Sequence, residues 1–271
     1  MIVHEHGKTG PLVIVLHGGP AAAGDAAGIA RGLARSFRVL EPWQRGSGEE
    51  PLTVERHVED LHDLVTGRPG AGKPALVGHS WGAMLALAYA ARHPESAGPL
   101  VLVGCGTFDL EARARLQATL DERLGEEGRE RLARARREIT DPGARLTAQY
   151  DILRPLFSYD PLPEHAGEGP VSFDPRAHEE TWADMLRLQR KGLYPAAFSA
   201  ITSPVLMLHG ENDPHPGSMI RGGLLEQIPH LECTFLERCG HYPWHERHAR
   251  ERFFSLLETW LLRHAQGGRP V

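Results

Sequence analysis

The pentapeptide Gly78-His79-Ser80-Trp81-Gly82 sets a serine between glycines two residues to either side, directly after an apolar run at 74–77 and directly before an alanine-rich stretch. A serine on a sharp strand-to-helix turn needs small neighbours, because the turn brings the helix against the strand and side chains there would clash. Such a turn strains the serine backbone and presents its hydroxyl at a helix N-terminus, where the dipole favours developing negative charge. The chemistry open to it is attack on a carbonyl and transfer of the acyl group to water. An ordinary turn serine has the same residue type, and only the flanking strand and helix patterns separate the two readings.

A serine hydroxyl is a weak nucleophile and requires a base within hydrogen-bond reach, most often histidine. Of the sixteen histidines, His241 is singled out by position: it follows Cys239-Gly240 and precedes an amphipathic stretch carrying Phe253, Phe254, Leu257, Trp260 and Leu261. His4, His6, His57, His62 and His264 read as solvated ends and helix faces, and His79 and His209 as packing residues at strand ends. The acid that orients the imidazole and stabilises its cation should fall between serine and histidine in chain order. Asp213, in the turn Gly210-Glu211-Asn212-Asp213-Pro214, is the first choice. Asp109 is its competitor, with a helix N-cap as its alternative role. An oxyanion hole needs two backbone N–H donors, which Trp81 and Gly19, in the turn His17-Gly18-Gly19-Pro20, can supply. The same glycines and proline would also make a plain tight turn. The set calls for no cofactor and no metal.

Elements must position these residues. Apolar runs at 11–16, 74–77, 99–103 and 204–208, each entered at proline, have the character of strands buried on both faces. Helical spacing occupies 26–36, 53–65, 81–92, 217–227 and 245–264, and weaker strand candidates at 38–41 and 231–236 fill the gaps. The alternation predicts an α/β fold with about six parallel strands flanked by helices. Residues 107–200 break the rhythm with two arginine-rich helical stretches, 109–139 and 175–191, separated by a proline-rich region without strand runs. An inserted helical cap over 107–200, with a core from 1–106 and 201–271, is the expected organisation. Arg129, Arg131, Arg134, Arg136 and Arg137 read as one solvated helix face. The tail at 267–271 is expected to fray.

Composition narrows the partners. A net charge of -5 gives no basic field for nucleic acid or anionic lipid. No apolar run reaches the ~20 residues of a membrane span and the N-terminus lacks a signal-peptide pattern, so a cytoplasmic location is expected. Three cysteines without paired spacing, Cys105, Cys233 and Cys239, signal neither disulfides nor a zinc site and read as small buried residues. The expected partner is a small-molecule or short-peptide substrate; oligomeric state is not legible.

The stretches His17-Gly18-Gly19-Pro20-Ala21, Trp43-Gln44-Arg45-Gly46-Ser47-Gly48 and Gly78-His79-Ser80-Trp81-Gly82 resemble the α/β-hydrolase superfamily, and within it the proline iminopeptidase-like branch. The likeness continues through Ala88-Tyr89-Ala90-Ala91-Arg92-His93-Pro94-Glu95 and resumes at 209–214 and 240–246. It implies an α/β-hydrolase fold with a cap and a Ser80-Asp213-His241 triad. Ala21 and Trp43 depart from that branch's glycine and aspartate, and the short lead before the first strong strand implies that one or more N-terminal strands are missing. Its free-amine specificity needs cap carboxylates, for which Asp151, Glu179, Glu180 and Asp184 are candidates that read equally as surface charges. The leading expectation is hydrolysis of a small ester or amide through an acyl-enzyme. The alternatives are a proline iminopeptidase-type aminopeptidase, a non-catalytic small-ligand receptor of the same fold, and a metal enzyme prompted by His241, His245, Glu246 and His248. A carbon–carbon bond hydrolase or cofactor-free haloperoxidase would use the same triad. Phe157, Tyr159, Trp182, Leu186 and Tyr194 are expected to line an apolar pocket beneath the cap.

Overall fold

The computed structural model describes residues 1–67, 72–163 and 171–265. Its main sheet contains β1 (Ile2–His6), β2 (Leu12–Leu16), β4 (Arg38–Trp43), β5 (Ala75–His79), β6 (Leu100–Val103), β8 (Val205–Gly210) and β9 (Leu231–Leu236). The short strands β3 (Ala22–Ala23) and β7 (Ser172–Phe173) pair with each other outside it. The main sheet runs β1-β4-β2-β5-β6-β8-β9, with every pairing parallel except that of β1 with β4. The six parallel strands are those expected; β1 is an addition, on a segment that carries no apolar run.

Every residue of β2, β5, β6 and β8 is buried. Two hydrophobic clusters explain this. Ile14, Leu16, Leu76, Leu100, Leu102, Val205 and Met207 face one side, against α2 (Val54–Thr66), α3 (Trp81–Arg92) and α7 (Gly217–Gln227). Val13, Val15, Val77, Val101, Val103, Leu206 and Leu208 face the other, against α1 (Ala27–Leu33) and α8 (Arg250–Ala265). Each fully buried Val, Leu or Ile contributes roughly 1.5–3 kcal/mol. A one-residue slip would exchange the two faces of a strand, so the packing of both sides sets the register. That register delivers the C-terminal ends of β2, β5, β6 and β8 to one rim of the sheet.

Between β6 and β8 the chain is mainly helical: α4 (Leu110–Glu138), α5 (Pro142–Leu153) and α6 (Pro175–Arg190). Asp109, Asp141 and Asp174 cap their N-termini, each accepting a backbone N–H three residues on, and proline follows two of them at the first helical position. Two expectations are corrected. The region between the arginine-rich stretches carries α5 and the β7 strand, and α4 breaks at Gly125, whose φ of 62° lies in the left-handed region. Arg129, Arg131, Arg134, Arg136 and Arg137 are exposed, as expected. The tail expected to fray, 267–271, lies outside the described residues. No helix among the described residues is long and apolar enough to cross a membrane.

Candidate active site

Ser80 joins the end of β5 to α3 at φ 53° and ψ −114°, a strained conformation for a residue with a side chain. A Cβ on Gly78 would lie 2.2 Å from the Gly82 carbonyl oxygen, and one on Gly82 would lie 2.2 Å from that of Leu16. Both glycines are therefore required by close backbone approach. The Ser80 N–H donates to the Val103 carbonyl at 2.9 Å, tying the turn to the neighbouring strand.

His241 follows β9 in a loop fixed from below. Buried Glu246 accepts the backbone N–H groups of Gly240, Tyr159 and Asp160 at 2.7–3.0 Å, and the His241 N–H donates to the Phe157 carbonyl at 2.7 Å. Nδ1–H of His241 donates to Asp213 Oδ2 at 2.6 Å. The other carboxylate oxygen accepts both the backbone N–H and the Nδ1–H of His215 at 2.9 Å. The two imidazoles stack at 4.6 Å, so Asp213 holds a pair of rings rather than one. Gly104, at φ 54°, gives His241 room: a Cβ there would sit 2.8 Å from its Nδ1.

Burial is the largest influence on His241 and pushes its pKa down to about 4, against the opposing pull of Asp213. Burial works the other way on Asp213, but the surrounding His241, His215 and His209 hold it well below the usual carboxylate range. Near neutral pH the pair is thus a carboxylate and a neutral imidazole whose Nδ1 proton is committed to Asp213. Nε2 is then left with the lone pair that a general base requires. Asp109, the competing acid, caps α4 by accepting the Ala112 N–H at 2.7 Å.

The turn after β2 approaches the same rim. Gly19 adopts φ 115°, a region closed to most side chains. Gln44 ties this turn to the first residue of α3: its Nε2 donates to the His17 carbonyl at 3.1 Å and its Oε1 accepts Trp81 Nε1–H at 2.8 Å. The following residues reach into the insertion, where Ser47 N–H donates to Asp174 at 3.0 Å and Ser47 Oγ donates to Glu180 at 2.9 Å. Arg45 is paired with Asp60.

Gly19, Ser80, Trp81 and His241 line one cavity of about 460 Å³, and Asp213 lies behind His241. Its other wall comes from the insertion, with Leu116, Leu146, Tyr150, Phe157 and Trp182. Phe157 and Trp182 are where they were expected, whereas Tyr159, Leu186 and Tyr194 do not line the cavity: Tyr159 faces solvent and Tyr194 packs with Phe198. None of the four candidate ammonium-binding carboxylates lines it either. Asp184 is buried and accepts the Val54 N–H and Arg187, and Glu180 is occupied by Leu52 N–H, Ser47 and Arg176. Among the described residues the only carboxylate that lines it is Asp25, bonded to His79, while Arg113 and Arg154 add positive charge.

Several histidines depart from expectation. His57 is buried and bonded to Thr181 rather than solvated, and burial lowers its pKa to about 4. His79 bridges two polar groups, beyond the packing role expected for it. The cluster with metal-ligand proximity is Asp213, His215 and His241, whose candidate donor atoms lie within 4.8 Å of one another, rather than His241, His245 and His248. In that cluster the Nδ1 protons of both histidines are already engaged by Asp213. Cys105 and Cys239 are buried free thiols pushed upward by burial, and Cys233 is half-buried within β9. Asp25 and His215 escaped sequence reasoning because neither stands in a motif; the spacing of His215 two residues past Asp213 is the one available hint.

Comparison with known proteins follows the same lines. A 2-hydroxymuconate semialdehyde hydrolase of Pseudomonas sp. (strain CF600) is 28% identical over 96% of this chain and 89% of its own. A proline iminopeptidase of Neisseria gonorrhoeae is 40% identical over 104 residues, 35% of this chain and 33% of its own. Among solved structures, a thermophilic esterase from Thermogutta terrifontis superposes with a TM-score of 0.64 at 24% identity, covering 97% of this chain and 93% of that one. The alpha/beta hydrolase fold family matches residues 11–247, and the chain belongs to that family.

Proposed function

We propose that the chain is a serine hydrolase that cleaves small-molecule esters or amides through an acyl-enzyme. Ser80 attacks the carbonyl while His241 takes its proton at Nε2. Asp213 stabilises the imidazolium that forms, and the N–H groups of Gly19 and Trp81 bind the oxyanion. His241 then returns the proton to the leaving group, and water, activated by the same base, releases the acyl group. The helical insertion serves as the cap that shapes the substrate pocket. One observation carries the reading: Ser80 and His241 line one cavity, and the far nitrogen of His241 is committed to a buried carboxylate at 2.6 Å.

A second reading, removal of an N-terminal proline, is favoured by the local likeness to proline iminopeptidase. The charges of the cavity weigh against it. A substrate ammonium would meet Arg113 and Arg154, and the one lining carboxylate among the described residues is already paired with His79. Leaving a buried charge without a partner is costly, so neutral acyl groups fit better. The deciding experiment measures kcat/KM for neutral p-nitrophenyl acyl esters against prolyl and other aminoacyl amides of similar size. Turnover of the neutral esters with little response to the free amine is expected. A strong preference for the prolyl amide, lost when its amine is blocked, would establish the second reading instead.

A further inference from the structure

The triad does not use a second buried histidine–aspartate pair, which stands where three loops of the site meet. His79 immediately precedes Ser80 on the elbow; Asp25 lies in the loop that continues from the Gly18-Gly19 turn; His241 carries the candidate base. Nδ1 of His79 is 2.7 Å from Asp25 Oδ2, and Nε2 is 3.2 Å from the His241 carbonyl oxygen. The side chains are 1% and 7% exposed, so their hydrogen bond is largely shielded from bulk water. Gly18 makes the approach possible: a Cβ there would lie 2.9 Å from Asp25 Oδ2, 3.1 Å from His79 Nδ1 and 3.2 Å from Ser80 Cβ.

The two ring nitrogens of His79 therefore face partners on different loops, a carboxylate oxygen at Nδ1 and a main-chain carbonyl oxygen at Nε2. Burial raises the Asp25 carboxyl, but the pull of His79, by charge and by hydrogen bond, together with that of His241 and His17 holds it below the usual carboxylate value.

We propose that His79 is a positioning residue, and that its bonds to Asp25 and to the His241 carbonyl hold the oxyanion turn, the nucleophile elbow and the His241 loop in register. The inference rests on the hydrolase reading for what is being positioned. The rings of His241, Tyr242 and Trp244 pack around His79 at centroid distances of 4.7, 5.1 and 4.7 Å and hold it in place. Removing the carboxylate takes away the partner that fixes the orientation of the His79 ring. The His241 carbonyl and the Gly18-Gly19 turn then lose their common anchor, which perturbs the bond-making geometry more than substrate affinity.

Steady-state kinetics test this, with circular dichroism and melting temperature as the checks on folding. Asp25→Asn should lower kcat on an activated ester by about 10- to 100-fold, the range of a lost charge-assisted hydrogen bond, with KM changed by less than about threefold. Asp25→Asn with kcat within about twofold of wild type, or with its loss confined to melting temperature, overturns the positioning role. If wild-type Ser80 were inert to a fluorophosphonate and no ester were turned over, the hydrolase reading would fail and the positioning role with it.

Discussion

Asp213→Asn isolates the electrostatic part of the site with almost no change in shape. In the resting protein Asp213 is a buried carboxylate that accepts from His241 at 2.6 Å and twice from His215 at 2.9 Å. In the proposed mechanism His241 takes the serine proton and becomes a cation next to that carboxylate. Two unit charges roughly 4 Å apart attract by about 4 kcal/mol at an effective dielectric near 20. At 1.36 kcal/mol per decade, that is about 10³ in rate. An asparagine can also turn its amide donor toward Nδ1 and leave the proton on Nε2, the tautomer that cannot accept from serine, which brings the expected loss in kcat to about 10⁴. The assay is steady-state hydrolysis of an activated ester, with circular dichroism as the check on folding. Asp109→Asn is the control. It caps α4 through one N–H, asparagine caps nearly as well, and kcat should stay within about threefold. A loss smaller than tenfold for Asp213→Asn in a folded protein, or an equal loss for Asp109→Asn, would refute the assignment of the acid.

Further predictions follow from the same geometry. His241 accepts a proton only when neutral, so kcat/KM should rise with pH through about 4 and stay level across neutrality, as a pH–rate profile would test. Stability has the matching sign. His57 and His241 are depressed to about 4, so between the unfolded value of 6.5 and 4 the unfolded chain binds protons that the folded one refuses. Each should cost about 1.4 kcal/mol per pH unit of acidification in that window, and melting curves that do not fall between pH 6.5 and 4 would contradict it. Gly82→Ala forces a Cβ to 2.2 Å from the Leu16 carbonyl and should destabilise by roughly 1–3 kcal/mol, whereas Gly48→Ala, with open space around it, should change stability by under about 0.5 kcal/mol in denaturant titrations.

What could be read from the chain alone depended on how local its cause is. β2, β5, β6 and β8 are continuous apolar runs because both faces are covered, and α3 is alanine-rich because nearly all of it is buried, so each is legible in a short window. β1 is an exposed edge strand of mixed residues that exists because β4 offers it partners more than 30 residues away, and no local pattern reports that. α5 has no buried residue and a proline and glycine in its first turn, so its sequence lacks the apolar stripe by which helices are recognised. The same division holds at the site. Ser80, Asp213 and His241 stand in turns with readable context, while the pairing of His79 with Asp25 and the burial of His57 against Thr181 are contacts across 54 and 124 residues. Chain spacing carries no trace of them.

The account turns on the Ser80 hydroxyl, and one paired measurement addresses it. Wild type and Ser80→Ala are each incubated with a fluorophosphonate and analysed by intact mass, and their turnover of a neutral activated ester is compared. The wild-type protein should gain a single adduct that maps to Ser80. Ser80→Ala should gain none, fold normally, and lose on the order of 10³ to 10⁶ in kcat, leaving only what the oxyanion donors and binding supply. Near-normal turnover by a folded Ser80→Ala protein, or an adduct on another residue that tracks the activity, would contradict the account at its centre.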